Sequence, residues 1–308
     1  MKVKKRLGQL ASALIIVFGV TFLTFLLSYL SPDDAAVVKL SAMKTGYTQE
    51  MLERTREEMG LNEPFLVQYG NWMKGVAHMD FGTSYRTNEK ISTMILSALP
   101  KTLSLAGLSM LIMLVIAIPV GLYCASHTNG FLDRLTMAAS YLFCSLPSFF
   151  IALVAMYYLC IRWKIFSAMA EPGIKGLIMP AAIQGVTLSS WYIRQIRAIA
   201  IEQLNSEYVK SLQARGISKW NILLKHVLRN CLTPIITLLG ISFGGMLGGS
   251  AIIESIFSVG GVGSAAVTAV SARDYPFIQA YAFWVAVIYL LVNFLVDVAN
   301  RRLDPRIR

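Results

Sequence analysis

Six long apolar segments constrain this chain more than any other feature of its sequence. They cover residues 7–30, 102–125, 135–161, 176–192, 231–253 and 277–300. A helix needs about 20 apolar residues to cross the roughly 30 Å hydrocarbon core of a bilayer. Hydrophobic residues make up 56% of the 308 residues and charged residues only 15%, whereas soluble domains carry about a quarter charged residues. The sequence therefore predicts an all-α integral membrane protein with six transmembrane helices.

Two of these six segments have another interpretation. The fourth is short and carries polar side chains, so it could instead be a re-entrant or surface helix. The first could be taken for a secretion signal, but its apolar run is far longer than the about 7–15 residues of such a signal, and no small-x-small cleavage site follows. We therefore predict that the first segment is a retained span and that the fourth crosses the membrane.

Basic residues are distributed unevenly between the two sides of the membrane. Six spans place both termini on one side, together with the loops 126–134 and 193–230. These segments hold 16 Lys and Arg against four acids, or five when Asp297 near the cytoplasmic end of the sixth span is counted with them. The rest of the chain then holds 12 of each sign, so the net charge of +11 lies on one side. The positive-inside rule then places both termini in the cytoplasm. The charge is a topology signal, and we expect no nucleic-acid partner.

The segment between the first two spans is predicted to form a small helical cap outside the membrane. It covers residues 31–98, between the N-terminal span (1–30) and the core of the remaining spans (99–300), and a cytoplasmic tail follows at 301–308. Pro64 suits the start of a helix because its missing N–H costs nothing there. Apolar side chains then recur on one helical face: Phe65, Tyr69, Trp72, Met73 and Val76.

The cytoplasmic loop 193–230 predicts a helix, a sharp turn and a second helix. Gly216 interrupts two helix-like stretches and can adopt the left-handed conformation that ends a helix, and Ser218 is a good cap for the second one. A solvated loop along the membrane surface is the simpler interpretation. The loop's length, its glycine turn and its apolar side chains instead favour a rigid projecting helix that docks into another protein. These side chains are Leu212, Ile217, Trp220, Leu223 and Leu224.

Short motifs along nearly the whole chain resemble a known family of transporters. In chain order they are Asp80-Phe81-Gly82-Thr83-Ser84, Ser145-Leu146-Pro147-Ser148-Phe149, Tyr208-Val209, Ala214-Arg215-Gly216-Ile217-Ser218, His226-Val227-Leu228-Arg229-Asn230 with Pro234, Glu254-Ser255-Ile256-Phe257, Gly261-Val262-Gly263, Arg273-Asp274-Tyr275-Pro276, Asn293, Asp297 and Leu303-Asp304-Pro305-Arg306-Ile307-Arg308. The set resembles the permease subunits of bacterial ATP-binding-cassette (ABC) importers, and more closely the B-type permease of the dipeptide, oligopeptide and nickel branch. Leu212 and Gly260 depart from that pattern, in which alanine and proline are usual.

The resemblance implies the ABC importer permease fold in the bacterial cytoplasmic membrane, with one chain forming half of the translocation path. In this family the loop around Gly216 is a coupling helix in a cleft of a cytoplasmic ATPase. The implied coupling residues are Tyr208, Val209, Ala214, Arg215, Gly216, Ile217, Ser218 and His226. The implied partners are a second homologous permease, two ABC ATPases and an extracytoplasmic substrate-binding protein. Because the chain has no GxxxxGK[ST] motif, we expect ATP and Mg on the ATPases, and no cofactor and no catalytic residue on this chain.

Glycines in the fifth span predict close helix packing. They are Gly240, Gly244, Gly245, Gly248 and Gly249. Small residues at this spacing let transmembrane helices approach closely, so we expect them at a helix interface, such as the seam between two permeases. The stretch also matches the G-x-S-x-G pattern of a nucleophile elbow, but that elbow needs a strand-to-helix turn. An apolar span does not offer one.

Polar side chains within the spans are candidates for the pathway or its gate. They are Gln184, Ser189, Glu254, Asn293 and Asp297. An ionisable group inside a membrane is costly and suggests a functional site. Glu254 and Asp297 lie near the predicted ends of their spans, where helix caps or ion pairs with neighbours such as Arg301 are the alternative. The neutral side chains could equally form hydrogen bonds between helices.

The expected cargo is nickel, carried as a chelate. The stretches Glu50-Met51-Leu52, Gly60-Leu61, Pro64, Val67-Gln68-Tyr69-Gly70 and Arg273-Asp274-Tyr275-Pro276 resemble the nickel-type permease. His78 is the one histidine predicted outside and has no accompanying cluster of metal ligands, so we expect it to be structural and predict no metal site. A chelated ion would need no protein ligands. Peptides or metallophores are the alternative cargo, and an ion-coupled carrier or channel, which internal inverted repeats would favour, is the alternative class.

Overall fold

Helices make up nearly all of the regular structure of this chain. The computed structural model describes residues 2–42, 46–167 and 173–303, and in these ranges its one β-feature is an isolated bridge between Thr83 and Lys90. The helices are α1 (Lys2–Tyr29), α2 (Ala35–Ala42), α3 (Gln49–Glu58), α4 (Phe65–Ala77), α5 (Ile91–Ser126), α6 (Phe131–Ser145), α7 (Ser148–Met156), α8 (Lys175–Leu204), α9 (Glu207–Ala214), α10 (Lys219–Asn221), α11 (Leu228–Ile256), α12 (Val262–Ser271) and α13 (Tyr275–Leu303), with π-helical segments at Tyr157–Arg162 and Ile222–Val227. The predicted all-α class is confirmed, and the motif residues Asp304 to Arg308 lie outside the described ranges.

The apolar segments of the sequence correspond to long helices. In the described ranges four helical stretches are long and apolar enough to cross a membrane, namely Ala11–Tyr29, Ile91–Ser126, Lys219–Ile256 and Tyr275–Leu303. The bent pair Phe131–Ser145 and Ser148–Arg162 gives a fifth. The predicted span 176–192 lies in α8, which is 30 residues long but buries several polar side chains and is less apolar than the others.

The third predicted span is not one straight helix. Its two halves, α6 and α7, meet at an angle of 98°. Pro147 lies at this break and restricts Leu146 to an extended backbone, with φ −90° and ψ 136°. The predicted span over 135–161 is therefore a bent pair of helices, because proline removes a helical hydrogen bond and clashes with the preceding turn.

The chain forms two compact units, and α5 and α13 each contribute to both. The first unit contains residues 1–101 and 260–291, and the second contains 102–259 and 292–308. The buried core of the first unit combines side chains of α4, α5, α12 and α13, among them Val76, Ile91, Ile95, Ala266 and Phe277. The main core of the second unit combines α5, α8 and α11 with the segment between α9 and α11.

Aromatic side chains pack α4 against α1 in the first unit. The helix predicted after Pro64 is confirmed as α4, with Pro64 at its N-cap. The Tyr69 ring lies 5.5 Å from the rings of Phe22 and Phe25 in edge-on arrangements, and its hydroxyl lies 3.0 Å from the Thr21 hydroxyl. Such edge-on pairs contribute about 0.5–1.5 kcal/mol each beyond the area they bury. The predicted apolar face of α4 therefore packs on the first span.

Candidate functional site

The loop between α8 and α11 has the predicted helix–turn–helix geometry, and its turn is a Schellman motif. Gly216 has φ +77°, in the left-handed region that ends a helix without steric cost only for glycine. The N–H of Ile217 donates to Leu212 O at 3.2 Å, and the N–H of Gly216 donates to Gln213 O at 2.9 Å. Ser218 Oγ then accepts the N–H of Asn221 at 3.4 Å and caps the next helix. The chain therefore leaves α9 and re-enters a helix within a few residues.

The base of this loop belongs to the core of the second unit. Val209 of α9 and Val227 of the π-helical segment are fully buried, and Ile222 is 1% exposed. They share one apolar cluster with Ile196 of α8 and Cys231 of α11. Because protein interiors are close-packed and transmit displacement, a force on the tip of the loop reaches both long helices through these side chains.

The tip of the loop is exposed and carries apolar and basic side chains. Trp220 is 61% exposed and Leu224, one turn further along, is 51% exposed. Arg215, Lys219 and Lys225 are exposed beside them. A large apolar patch rimmed by charge is typical of a surface that contacts another protein. We name the segment Glu207–Val227 the elbow loop.

The remaining predicted residues of the elbow loop lie at the transition from base to tip. Tyr208 is half-buried and donates its hydroxyl proton to Gln203 Oε1 at 3.2 Å. Ala214 is exposed on the last turn of α9, and Ile217 is half-buried. His226 is half-buried in the π-helical segment. These residues are thus close in the chain but differ in exposure.

The loop 193–230 is also shorter in space than the sequence suggests. Helix α8 continues past the predicted span end at residue 192 and stops only at Leu204. Ile196 and Ala200 hold this extension against the core, since both are fully buried. The long helix α8 therefore takes up residues 193–204 of the predicted loop, and the first helix of the predicted helix–turn–helix is the short α9.

The glycines of α11 differ in what surrounds them. A Cβ on Gly240 would lie 2.9 Å from Val296 Cγ2 of α13, so this glycine permits close helix contact within the chain. Gly245, Gly248 and Gly249 face open space within 4 Å and are exposed, whereas Gly244 is half-buried. One of these glycines therefore allows close helix packing inside the second unit, and three others lie on its surface.

Tight packing between α5 and α8 depends on two other glycines. A Cβ on Gly121 would lie 2.9 Å from Ile196, and a Cβ on Gly185 would lie 2.8 Å from Ser109 O. The sequence did not mark either glycine, because a single glycine in a span belongs to no repeat. Glycine is disfavoured in a helix interior, so its presence there was the one sequence feature that indicated a packing role for Gly121 and Gly185.

Two of the predicted pathway residues are used between or within helices. Gln184 is 8% exposed, and its Oε1 accepts the Ser109 hydroxyl proton at 3.2 Å, which links α8 to α5. Ser189 is 3% exposed, and its hydroxyl donates to Val186 O at 2.7 Å. The Gln184 bond is the hydrogen bond between helices that the sequence left as an alternative, whereas the Ser189 bond stays within α8.

The other predicted pathway residues lie on α11 and α13. Glu254 is completely buried, and its Oε1 accepts the Ser250 hydroxyl proton at 3.3 Å. Asn293 is half-buried, with its Oδ1 3.4 Å from a Cβ built on Gly240, and Asp297 is exposed. The carboxylates therefore occupy different environments, one inside the second unit and one on its surface.

An ion pair that the sequence did not reveal joins α6 to α8. Arg197 donates to both carboxylate oxygens of Asp133, from Nε at 2.7 Å and from Nη2 at 2.8 Å, and Asp133 is 2% exposed. The N–H of Asn129 donates to the same carboxylate at 2.9 Å. Such bidentate pairs fix orientation as well as distance. Because Arg197 lies on α8, the helix that leads into the elbow loop, this pair fixes the helix from which the loop projects.

A second group of unexpected contacts explains the Arg273-Asp274-Tyr275 motif in the first unit. Asp274 is 2% exposed and accepts the Ser84 hydroxyl proton at 2.5 Å and the Tyr85 N–H at 3.0 Å. Arg273 forms an ion pair with Asp33, and the Tyr275 hydroxyl lies 2.6 Å from the Ser31 hydroxyl. Three consecutive side chains thus attach the start of α13 to two distant parts of the same unit, in a cluster that we name the α13 staple.

Comparison with known proteins identifies the class. Residues 117–308 match the family described as "Binding-protein-dependent transport system inner membrane component", and residues 3–106 match the N-terminal part of such components. The chain therefore belongs to this family of inner-membrane transport components. It is a multi-pass membrane protein and the permease subunit of an ABC importer, rather than its ATPase, and the family implies ATPase and substrate-binding partners.

Curated relatives match almost end to end. The metal-staphylopine import system permease protein CntB of Staphylococcus aureus (strain Mu50 / ATCC 700699) is 33% identical over 98% of this chain and 97% of its own. A probable peptide ABC transporter permease protein, y4tP of Sinorhizobium fredii, is 34% identical over 98% of both chains. The nickel import system permease protein NikB of Staphylococcus aureus (strain USA300) is 28% identical over 99% of this chain and 92% of its own.

A solved structure supports the fold. A chain of the MetNI methionine ABC transporter, in an inward-facing conformation, superposes with a TM-score of 0.59 over 68% of this chain and 96% of that chain. The two sequences are 17% identical, so the likeness concerns the fold alone. The predicted importer permease fold is confirmed.

Proposed function

We propose that the elbow loop is the surface through which a cytoplasmic ABC ATPase drives this permease. The single observation that carries the proposal is an exposed apolar and basic tip on a fully buried base. The matching surface on the ATPase is a groove with an apolar pocket and acidic side chains at its rim, which complements Trp220 and the flanking cations. ATP and Mg bind to the ATPases, and this chain moves cargo without changing it chemically.

The complete importer contains four kinds of subunit under this proposal. This chain pairs with a second homologous permease, each permease contacts one ATPase, and an extracytoplasmic binding protein delivers the cargo. The exposed glycines of α11 (Gly245, Gly248 and Gly249) are the proposed contact between the two permeases, since small residues allow close approach of membrane helices. Gln184, Ser189, Glu254, Asn293 and Asp297 remain the proposed pathway and gate residues.

Replacement of Trp220 by alanine tests the docking surface. Buried tryptophans at protein interfaces commonly contribute about 2 kcal/mol or more to binding, which corresponds to roughly thirtyfold in affinity. We expect Trp220→Ala to weaken co-purification of the ATPase and to abolish uptake, while the protein still inserts into the membrane. Trp163→Ala is the matched control because Trp163 is also 61% exposed but lies far along the chain from the elbow loop. Equal ATPase affinity of the two variants would contradict the proposal.

The cargo we propose is nickel or a similar metal ion held in a small chelate. The relative named for metal-staphylopine import and the relative named for nickel import support this choice, and both match nearly the full length of the chain. Short peptides are the second candidate, because a relative named as a probable peptide permease is 34% identical. All of these cargoes are small polar solutes, so they require the same kind of transporter.

Competition in a reconstituted importer separates the two cargoes. Proteoliposomes with all four subunit types would be supplied with radioactive nickel, with and without histidine as chelator, and with a labelled dipeptide. We expect ATP-dependent uptake of chelated nickel that the dipeptide does not reduce. If the importer took up the dipeptide but not nickel, the cargo would be peptides instead of a metal chelate. Uptake without any ATPase would refute the importer and favour an ion-coupled carrier or channel.

The proposed orientation places both termini and the elbow loop in the cytoplasm and residues 31–98 on the other side. The support is the excess of Lys and Arg in the termini and in the loops 126–134 and 193–230. The orientation can be measured with single cysteines introduced near residue 50 and near residue 213, in a protein from which the four native cysteines have been removed. A membrane-impermeant thiol reagent added to intact cells should label only the first.

A further inference from the structure

The first unit contains a cavity of about 780 Å³, lined by both polar and apolar side chains, that the proposed coupling mechanism does not use. Its wall is formed by the end of α1, the segment that leads into α2, the turn between α3 and α4, and the start of α13. Sites for small molecules commonly measure about 300–1,000 Å³ and combine aromatic walls with a few polar groups. We name it the first-unit cavity.

Three polar side chains in the wall of this cavity lack hydrogen-bond partners among the described residues. Gln279 is only 7% exposed, yet its carboxamide forms no hydrogen bond there. The indole N–H of Trp72 is buried without a partner, and the Tyr85 hydroxyl has none. Nearly all buried polar groups in folded proteins are paired. Of these three, the Trp72 indole N–H is the buried one, whereas the Tyr85 hydroxyl and the Gln279 carboxamide remain accessible in the wall. A polar ligand in this cavity would complete their hydrogen bonding.

The charged groups of the wall show what kind of ligand would fit. Asp34 is already used, because it forms an ion pair with Arg56 at 2.5 Å. The Gly82 N–H donates to Asp80 Oδ1 at 3.0 Å, and the other carboxylate oxygen of Asp80 has no hydrogen bond in the described residues. Lys39 forms no ion pair there either. One positive and one negative group thus remain for a ligand that itself carries both charges.

The Tyr85 hydroxyl acts as a donor at neutral pH. Burial, and then the nearby Asp274 carboxylate, raise the pKa of Tyr85 above its ordinary value. The phenol therefore keeps its proton, and together with the indole N–H of Trp72 it offers two donors to a carboxylate.

We propose that the first-unit cavity binds a small solute that carries both a carboxylate and an ammonium or amine group. Free amino acids, short peptides and amino-carboxylate metal chelates share this chemistry. The carboxylate meets the donors of Trp72 and Tyr85, the amine meets the carboxylate of Asp80, and the Gln279 carboxamide bonds either group. This site deepens the proposed function, on whose cargo classes it rests, but it belongs to the permease chain itself and requires neither ATPase nor binding protein.

Calorimetric titration of the purified full-length chain in lipid nanodiscs tests the site. The probes are L-alanyl-L-alanine and the nickel–histidine complex, with acetate, ethylamine and nickel chloride as probes that carry only one of the groups. We expect saturable binding of at least one amino-carboxylate probe, at least about tenfold tighter than that of acetate or ethylamine, as the loss of one charged contact predicts. The probe that binds identifies the source. No saturable binding at millimolar concentrations, or binding of nickel chloride alone, would overturn the proposal.

A pair of tryptophan variants keeps the test specific. Trp72→Phe removes the N–H in the cavity wall, and Trp284→Phe removes another buried, unpartnered indole N–H of the same unit that is not part of the wall. We expect Trp72→Phe and Tyr85→Phe each to weaken binding about three- to tenfold, the range for one hydrogen bond. Trp284→Phe should leave the dissociation constant within about twofold. Equal effects of the two tryptophan variants would refute a role for the wall.

Thermal unfolding supplies a readout that does not depend on calorimetry. Because Tyr85→Phe removes a polar group that has no partner without ligand, the variant should unfold at the same or a higher temperature than the wild type when no ligand is added. The stabilisation that ligand gives to the wild type should be reduced in the variant. A large loss of stability without ligand would mean that the hydroxyl serves the fold instead, which would also count against the site.

Discussion

Replacing Gly216 by valine should uncouple the permease from its ATPase. The structure leaves open space around this glycine, so a side chain would meet no atom within 4 Å of its Cβ. The cost arises from the backbone, since Gly216 has φ +77°. A left-handed conformation costs an L-residue about 1–2 kcal/mol, and β-branched residues are true outliers there. We therefore expect valine to destabilise the left-handed turn by about 2 kcal/mol. This would lower the population of the intact turn about thirtyfold relative to other backbone conformations of the loop.

Loss of this turn changes the direction of the helix that follows residue 216. The two Schellman hydrogen bonds, from Ile217 to Leu212 and from Gly216 to Gln213, form only while residue 216 is left-handed. When they open, Trp220 no longer projects from a fixed position relative to α9. A rigid surface binds with less entropic cost than a mobile one, so ATPase affinity should fall by at least about tenfold, with uptake falling in parallel.

Gly216→Asn is the control that separates strain from simple loss of glycine. Asparagine is enriched several-fold at positive φ and also ends helices in this way. We expect its ATPase affinity to stay within about threefold of the wild type. The assay is titration of the ATPase against permease in nanodiscs, with quantities normalised to the amount of inserted protein. Equal binding of the valine and asparagine variants would show that the left-handed turn does not carry the coupling.

Three further substitutions test contacts inside the units by thermal or chemical unfolding of the purified protein and by hydrogen exchange. Asp133→Asn leaves Arg197 without its buried partner and should destabilise the protein by about 3–5 kcal/mol, whereas replacing both by apolar residues of similar volume should recover much of that loss. Gly240→Val should cost about 1–3 kcal/mol by overpacking against α13, while Gly245→Val should leave the stability of the isolated chain unchanged. Asp274→Asn weakens the α13 staple by about 1.5–3 kcal/mol, and should raise hydrogen exchange at residues 82–90 without changing exchange in the elbow loop.

The sequence identified features that depend on neighbouring residues. Apolar length predicted the long helices, because a helix of fixed rise must match the thickness of the bilayer. The turn at Gly216 and the cap at Ser218 were also predictable, since each involves hydrogen bonds over no more than five residues. The break at Pro147 was present in the sequence as well, but long apolar flanks on both sides concealed it.

Tertiary structure alone decided which distant side chains meet. Asp133 and Arg197 are 64 residues apart, and Ser84 and Asp274 are 190 apart. No periodicity relates such positions, because pairing of this kind depends on how whole helices are placed after they form. The same reason explains Gly121 and Gly185, whose neighbours belong to other helices.

The sequence by itself thus determined that this chain spans a membrane with helices and projects a stiff turn at Gly216. Only the folded chain decided which glycines pack, which charges pair, and that Trp72, Tyr85 and Gln279 share one cavity wall. Helix length, caps and turns are local consequences of backbone geometry. Ion pairs and cavities arise from the close packing of elements far apart in the chain, so they exist only once those elements meet.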